Sequence, residues 1–162
     1  REKELAKVIS QKCIGTGVYS MWIETKAAQT AVAGQFISVY CKDKTKLLPR
    51  PISICQIDKE KGRLRIVYRV VGGGTEEMSS YSAGDDISLI GPLGNGFMQR
   101  EGKKAILIGG GIGIPPMVGL AEALKDKAGE TPPKGVNHEE NLKAHFDYAG
   151  GIDGLYVCVY GV

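Results

Sequence analysis

The pattern of hydrophobic and polar positions divides the chain near residue 100. Before that point, short runs of apolar or alternating residues are separated by glycine, proline and charged residues that favour turns. Short strands at this spacing are typical of an antiparallel barrel or sandwich. The polar segment 75–80 fits one or two helical turns. We predict a mainly β region with strands at 18–23, 35–40, 52–57, 64–70 and 86–90.

After residue 100 the pattern changes. Residues 105–108 are apolar without alternation, which is typical of a strand covered on both faces, as in a parallel sheet. A glycine-rich segment, 109–113, follows, and Pro115 then begins a helical pattern, since proline suits the first helical turn. The polar segment 128–141 has no periodicity, and 155–162 fits one more strand. The pattern predicts three parts: 1–100, 101–128 (strand, glycine turn and helix) and an irregular tail, 129–162.

Composition narrows the class of protein. The 162 residues are 43% hydrophobic and 24% charged, as is usual for a soluble globular protein. A net charge of +3 is too small to indicate nucleic-acid binding. The four cysteines have no zinc-site spacing, and no secretory signal opens the chain. The uncharged stretch 105–121 is too short and too rich in glycine for a membrane span, so we expect a cytoplasmic protein.

Two segments before residue 100 have the residue types of a phosphate site. In Arg50-Pro51-Ile52-Ser53, the planar guanidinium suits a phosphate, and strand alternation places Pro51 and Ser53 on the same side. Alone, this tetrapeptide fits an edge strand better. The segment 72–75 leads three glycines into a helix start, whose free N–H groups favour anions. A flexible turn before a helix capped by Thr75 explains that segment equally well.

Other candidate segments are weaker. The glycines of 91–97 admit either a flat ligand or a plain turn. The segment 109–113 follows a strand and precedes a helix, as a dinucleotide loop does, but it lacks the G-x-G-x-x-G spacing. His138 and His145 fit solvated surface positions, and no nucleophile–base arrangement is present.

Together and in this order, these segments resemble the ferredoxin-reductase-type flavoprotein superfamily. Within it they are similar to the electron-transfer subunits of NAD-linked dihydroorotate dehydrogenases. The similarity runs continuously over about residues 5–127. The segments that carry it are Gly34-Gln35-Phe36, 48–54, 68–75, 91–97 and 109–117.

The resemblance implies a Greek-key β-barrel that binds FAD, followed by the start of a Rossmann-like α/β domain that docks NAD. It implies that Arg50 holds the FAD pyrophosphate, while the strand at Ser53 lies along the isoalloxazine and ribityl chain. The other positions that match FAD contacts are Pro51, Ile52, Val67, Tyr68, Arg69, Gly74 and Thr75. Those that match the NAD loop are Gly110, Gly111 and Gly113.

The resemblance also implies a partner. In the family, an FMN-containing catalytic subunit oxidises dihydroorotate, and electrons pass through a 2Fe–2S cluster to FAD and on to NAD+. We therefore expect an oxidoreductase subunit of pyrimidine biosynthesis, without an acid–base residue of its own, because the cofactors do the redox chemistry. A subunit of a related ferredoxin–NAD(P) or sulfide dehydrogenase, and a flavin-binding module without turnover, remain alternatives.

The C-terminal part departs from the family pattern. Only 35 residues follow Lys127, whereas one β-α-β unit alone needs about 30 or more. We therefore expect the family's C-terminal half to be mostly missing and NAD binding to be weak or lost. Residues 149–162 resemble a degenerate cluster loop, C-G-I-G-A-C-x-x-C, in which Gly150 and Leu155 replace the first two cysteines. Only Cys158 remains as a metal ligand, so we expect no 2Fe–2S cluster in this chain alone.

Overall fold

Six antiparallel strands form a closed barrel in the computed structural model, which describes residues 2–98, 105–128 and 155–160. Their order around the barrel is β1-β2-β5-β4-β3-β6. Strands β3 to β5 form a meander and β6 returns beside β3, which is a Greek-key arrangement. The strands are β1 (Glu4–Gly15), β2 (Val18–Glu24), β3 (Phe36–Tyr40), β4 (Arg50–Asp58), β5 (Arg63–Arg69) and β6 (Asp86–Leu93). The mainly β, antiparallel barrel predicted from the sequence is confirmed.

The hydrophobic pattern does not predict the first strand, β1. Its inward positions include Ala6 and Val8, but Leu5 and Ile9 on the opposite face are also apolar and exposed. Apolar residues on both faces conceal the alternation that identifies a half-buried strand. The other five strands lie within a few residues of their predicted bounds.

The barrel encloses one main hydrophobic core. Large side chains that are fully buried come from each strand, and the helix α1 (Gly73–Ser79) adds Met78. A short 3-10 helix, Lys26–Gln29, adds Ala27 and Ala28. The core residues of largest volume are Tyr68, Met21, Ile23, Ile37, Ile54, Leu64, Ile66, Met78, Ile87 and Leu89.

The second part of the chain contains β7 (Ala105–Gly110), a 3-10 turn (Gly111–Gly113), α2 (Ile114–Ala128) and β8 (Leu155–Tyr160). Prolines 115 and 116 lie in the first turn of α2, as predicted. The prediction that β7 is covered on both faces is wrong, because α2 packs on one face at Leu107 while Ile108 is 61% exposed. The partner of β7 is β8, and the two strands are antiparallel rather than parallel.

Two expectations fall partly outside the described residues. The predicted boundary between residues 100 and 101 and most of the predicted irregular tail, 129–154, lie outside the described residues. Of the residues compared with a cluster loop, Gly150 is outside the described residues, whereas Leu155 and Cys158 belong to β8. Among the described helices, none combines the length and apolarity needed to cross a membrane.

Candidate functional site

The predicted site segments meet where strands β4 and β5 separate. From the hairpin end inward, these strands pair as far as Ile54 and Ile66, and no pairing between them continues beyond that point in the described barrel. Residues 50–53 pair with β3 on their other side, and residues 67–69 pair with β2. The backbone edges that face each other are therefore free. They form a cleft in the barrel wall, which we call the β4–β5 cleft.

Side chains of residues 50–53 alternate across the wall, as the sequence predicted. Pro51 and Ser53 are exposed on the same side, while Ile52 packs against the core. Ser53 pairs with Phe36 and Pro51 with Ser38 in the β3–β4 ladder. Proline has no N–H to donate to a neighbouring strand. Pro51 loses no hydrogen bond on the side that faces β5, because no strand of the described barrel pairs with that edge. The exposed Ser53 hydroxyl is available at the cleft.

Arg50 and Gly74 are in direct contact. A Cβ placed on Gly74 would overlap the Nε, Cζ and Nη2 atoms of the Arg50 guanidinium, so only glycine allows this approach. Another guanidinium nitrogen, Nη1, donates to the carbonyl of Leu48. The two residues are 24 positions apart in the sequence, and the fold brings them together at the start of α1. This contact places a fixed positive charge beside the glycine turn 72–74.

A second cation lies beside the same turn. The Lys46 side chain comes within 3.4 Å of a Cβ placed on Gly73. Its Nζ lies 3.3 Å from Glu77 Oε2 and 3.6 Å from Asp43 Oδ2. Lys46 carries no signal in the sequence beyond being one of several lysines in a loop. Only the fold shows that it lies at the turn.

The Thr75 hydroxyl forms its hydrogen bonds within the turn itself. Its buried hydroxyl accepts from the N–H of Val71, at 2.9 Å, and of Gly72, at 3.3 Å. It also donates to the Gly72 carbonyl at 3.0 Å. Thr75 is the third residue of α1 rather than the N-cap that the sequence suggested, and its hydroxyl organises the turn before the helix.

The three residues of β5 at the cleft face different ways. Tyr68 points into the core, where its hydroxyl donates to Gln11 Oε1 at 2.8 Å, and only its backbone reaches the cleft. Val67 packs outside the barrel with Ile114 of α2. Arg69 carries a buried Nε that has no hydrogen-bond partner among the described residues. Buried donors are nearly always satisfied, so this nitrogen can donate to an acceptor that the described residues do not supply.

The second glycine turn also lies against β5, next to the cleft. Gly111 is buried and has a φ of 52°, a conformation that favours glycine. Gly109 packs against α2, since a Cβ there would lie 3.0 Å from Met117. Gly113 and Ile112 are exposed, and Gly110 is exposed at the end of β7. The turn therefore offers backbone and one apolar side chain to a ligand.

The loop 91–97 is filled by the chain itself. A Cβ on Gly34 would lie 2.7 Å from the backbone of Phe97, and Gln35 donates from Nε2 to the Gly94 carbonyl at 2.9 Å. Its glycines allow close packing, which agrees with the plain-turn alternative. Among the described residues, no group of three or more histidine, cysteine or acidic side chains is placed to hold a metal ion.

The comparisons with known proteins agree with this geometry. The chain is 41% identical over 131 residues to "Dihydroorotate dehydrogenase B (NAD(+)), electron transfer subunit" of Streptococcus mutans. The aligned region is 79% of this chain and 51% of the relative. With the protein of the same name from Streptococcus thermophilus, it is 43% identical over 160 residues, or 92% of this chain and 62% of the relative. The chain thus spans about half to three fifths of these relatives' length.

A solved structure and a family model extend the match. The structure of an NADH-dependent reduced ferredoxin–NADP oxidoreductase superposes with a TM-score of 0.66 at 30% identity, over 76% of this chain and 45% of the other. These matches confirm the resemblance drawn from the sequence. The model of the oxidoreductase FAD-binding domain matches residues 6–97, which include the barrel except for Glu4 and Leu5 at the start of β1, and the β4–β5 cleft. The chain belongs to the family of oxidoreductase FAD-binding domains.

Proposed function

We propose that this chain binds FAD in the β4–β5 cleft and acts as the FAD-carrying part of an electron-transfer subunit. In that role it relays electrons from dihydroorotate, oxidised on an FMN-containing partner subunit, to NAD+ in pyrimidine biosynthesis. The observation that carries the proposal is the separation of β4 from β5, which leaves residues 50–53 and 67–69 with free backbone edges beside Arg50. The names of the curated relatives support the choice of reaction.

The residues around the cleft fit a flavin dinucleotide. Arg50 and Lys46 supply positive charge at the glycine turn, which suits the pyrophosphate. The free edges of 50–53 and 67–69 supply N–H and C=O groups to the ring and ribityl chain. The unpartnered Nε of Arg69 fits a ligand acceptor. When bound, FAD supplies the capacity to exchange electrons, and the protein supplies its binding and orientation.

For NAD and the 2Fe–2S cluster, we propose less of this chain than for FAD. The turn Gly111–Gly113 provides backbone for a nicotinamide dinucleotide, but a single turn does not enclose a ligand of that size. We propose that this 162-residue chain binds NAD weakly and holds no 2Fe–2S cluster by itself. The partner subunit then delivers electrons to FAD only where further protein supplies the cluster.

Titration with FAD tests the proposal. Wild type is expected to bind FAD stoichiometrically with quenching of flavin fluorescence. Arg50→Ala removes a charge-assisted contact worth roughly 1.5–3 kcal/mol, which is about a tenfold to hundredfold loss of affinity. Gly74→Ala is expected to weaken FAD binding in the same direction, because the added Cβ displaces the Arg50 guanidinium.

Arg63→Ala is the matched control. Arg63 is an arginine of the neighbouring strand β5, where it pairs with Asp58 and stacks on Trp22 at the hairpin end, away from the cleft. Its replacement is expected to leave FAD affinity unchanged. Equal affinities of wild type and Arg50→Ala would remove Arg50 from the site, and no FAD binding by wild type would refute the proposed function.

A further inference from the structure

The last turn of α1 is held by a side chain from the distant strand β1. The Nε2 of Gln11 lies 3.0 Å from the carbonyl of Met78, 3.1 Å from that of Ser79 and 2.8 Å from that of Tyr81. Carbonyls at the end of a helix have no partner within the helix. The backbone N–H groups of Ser80 and Tyr81 donate to the carbonyls of Glu77 and Met78, and Gln11 adds a side-chain cap from outside this segment.

Tyr68 determines which way the Gln11 amide points. Its hydroxyl donates to Gln11 Oε1 at 2.8 Å, so the NH₂ group is directed to α1. The Tyr68 ring is fully buried and stacks on Tyr19, with ring centroids 5.9 Å apart and an interplanar angle of 18°. Burial raises the pKa of the Tyr68 hydroxyl, which keeps the proton that it donates to Gln11.

The helix depends on such external contacts. With seven residues, α1 is far below the length at which a helix is stable alone. Its first residues, Gly73 and Gly74, contact Lys46 and Arg50, and its last turn contacts Gln11. A rotation of the last turn moves the glycines at the other end, because two helical turns behave as one short rigid unit.

We propose that Gln11 is a positioning residue for the flavin site: by capping the C-terminal end of α1 it holds the glycine turn 72–74 against Arg50 for the phosphates of FAD. This inference rests on the proposed function. The inference predicts an effect of Gln11 on binding of the phosphate end of FAD and none on binding of the ring end. Riboflavin contains the ring and ribityl chain but no phosphate, so its binding does not depend on the glycine turn.

The test compares FAD and riboflavin affinities in Gln11→Met, which keeps the length of the side chain and removes its N–H and C=O groups. The FAD dissociation constant is expected to rise about threefold to tenfold, the equivalent of one lost hydrogen bond. The riboflavin dissociation constant is expected to stay within twofold of wild type. A merely structural loss of stability would weaken both ligands together.

The matched control is Gln29→Met. The Gln29 amide also donates to a distant carbonyl, that of Lys59 at 3.0 Å, but it lies on the 3-10 helix far from α1. Its replacement is expected to leave both affinities unchanged. Tyr68→Phe serves as a second variant if Gln11→Met does not fold, since it removes only the hydroxyl that orients the amide. Tyr68→Phe is expected to raise the dissociation constant of FAD more than that of riboflavin, as Gln11→Met does.

Amide hydrogen exchange without ligand completes the experiment. In Gln11→Met, residues 73–81 are expected to exchange faster than in wild type or Gln29→Met. Faster exchange together with selective loss of FAD affinity supports the proposal. Unchanged exchange, or equal weakening of FAD and riboflavin, overturns it. Selective loss requires that wild type binds FAD, so a wild type that binds none overturns the ligand role of Gln11 together with the proposed function. Bound FAD with no effect of Gln11 overturns this inference alone.

Discussion

Glu77 of α1 organises the loop that leads to Arg50. Its carboxylate accepts from the N–H of Lys42 at 2.6 Å and from the hydroxyl of Tyr81 at 2.8 Å, and it pairs with Lys46. Partial burial opposes ionisation, but these hydrogen bonds prevail and hold the pKa of Glu77 below its ordinary value of 4.5. An ionised Glu77 therefore holds the β3–β4 loop, with Lys46, against the glycine turn.

The lowered pKa of Glu77 predicts how stability changes with pH. A carboxyl with a depressed folded-state pKa stabilises the fold above its unfolded pKa, and this stabilisation is lost as the pH falls through the folded value. Glu77→Gln keeps an acceptor but removes the charge, so it is expected to cost about 1 kcal/mol at pH 7. The difference from wild type should begin to shrink near pH 4.5 and disappear once the pH is below the lowered folded-state pKa.

Urea unfolding between pH 7 and pH 3 measures that difference. Glu24→Gln replaces an exposed carboxylate on β2 and is the control, with little change expected over the same range. A difference between Glu77→Gln and wild type that stays constant down to pH 3 would contradict an ionised, hydrogen-bonded Glu77.

At the scale of elements, α2 packs closely on the outside of the barrel. A Cβ on Gly119 would lie 2.5 Å from the carbonyl oxygen of Cys55 on β4. Beside this contact, Gln56 donates to Glu122 of α2 and accepts from Arg65 at 2.7 Å. This packing fixes the start of α2, and with it the turn Gly111–Gly113, beside β5. The sequence predicted the helix but contained no signal for the strand on which it packs.

Gly119→Ala tests this contact. In an open helical position, alanine stabilises a protein by roughly 0.5–1 kcal/mol relative to glycine. Here the added methyl group meets a backbone oxygen, so α2 must shift, and we expect a net loss of about 1–3 kcal/mol. Urea unfolding is the measurement. Gly113→Ala is the control, because nothing lies within 4 Å of a Cβ there. A Gly119→Ala variant more stable than wild type would contradict the close approach of α2.

At the scale of the molecule, the order of elements along the chain and the packing of α2 between the barrel and β7 bring both glycine turns to the same strand, β5. The turn 72–74 follows β5 directly, while the turn 111–113 reaches β5 because α2 lies between the barrel and β7. Both turns therefore lie beside β5, although nearly forty residues separate them in the sequence. The cleft and the first turn are complete within the described barrel, whereas the second turn is a single turn that does not enclose a ligand by itself.

This asymmetry predicts that FAD binds tightly and NADH does not. Calorimetric titration of NADH into the FAD-loaded chain is expected to give no saturable binding in the micromolar range. FAD titrated into the same apoprotein preparation is the positive control, since it shows that the protein is folded and competent. Stoichiometric, tight NADH binding would contradict the prediction and assign a more complete nucleotide site to this chain.

The cysteines predict that the chain alone holds no 2Fe–2S cluster. Such a cluster is normally held by four thiolates, and the chain has four cysteines in all. Cys13 is exposed on β1, and Cys55 is fully buried beneath α2, where burial raises its pKa to about 12. Anaerobic reconstitution with iron and sulfide, followed by iron analysis and paramagnetic resonance, measures the outcome. About two irons per chain with a reduced-cluster signal would overturn the prediction.

The sequence by itself determined the local features of this protein. Alternating runs predicted five of six barrel strands, and glycines followed by helix-compatible residues predicted both turns. Arg50 and Gly74 were identified through the family resemblance of several short motifs in order, since alone the segment 50–53 fits an edge strand better and the segment 72–75 fits a turn equally well. Such features depend on neighbouring residues, so a linear pattern is enough to predict them.

Only the tertiary structure decided how those features combine. The cleft exists because β4 leaves β5 to pair with β3, and that choice depends on contacts between residues far apart in the chain. The inward direction of Tyr68, the position of Lys46 beside Gly73 and the cap that Gln11 supplies to α1 are likewise long-range. No local pattern encodes them, because each side chain would look the same in the sequence with a different partner.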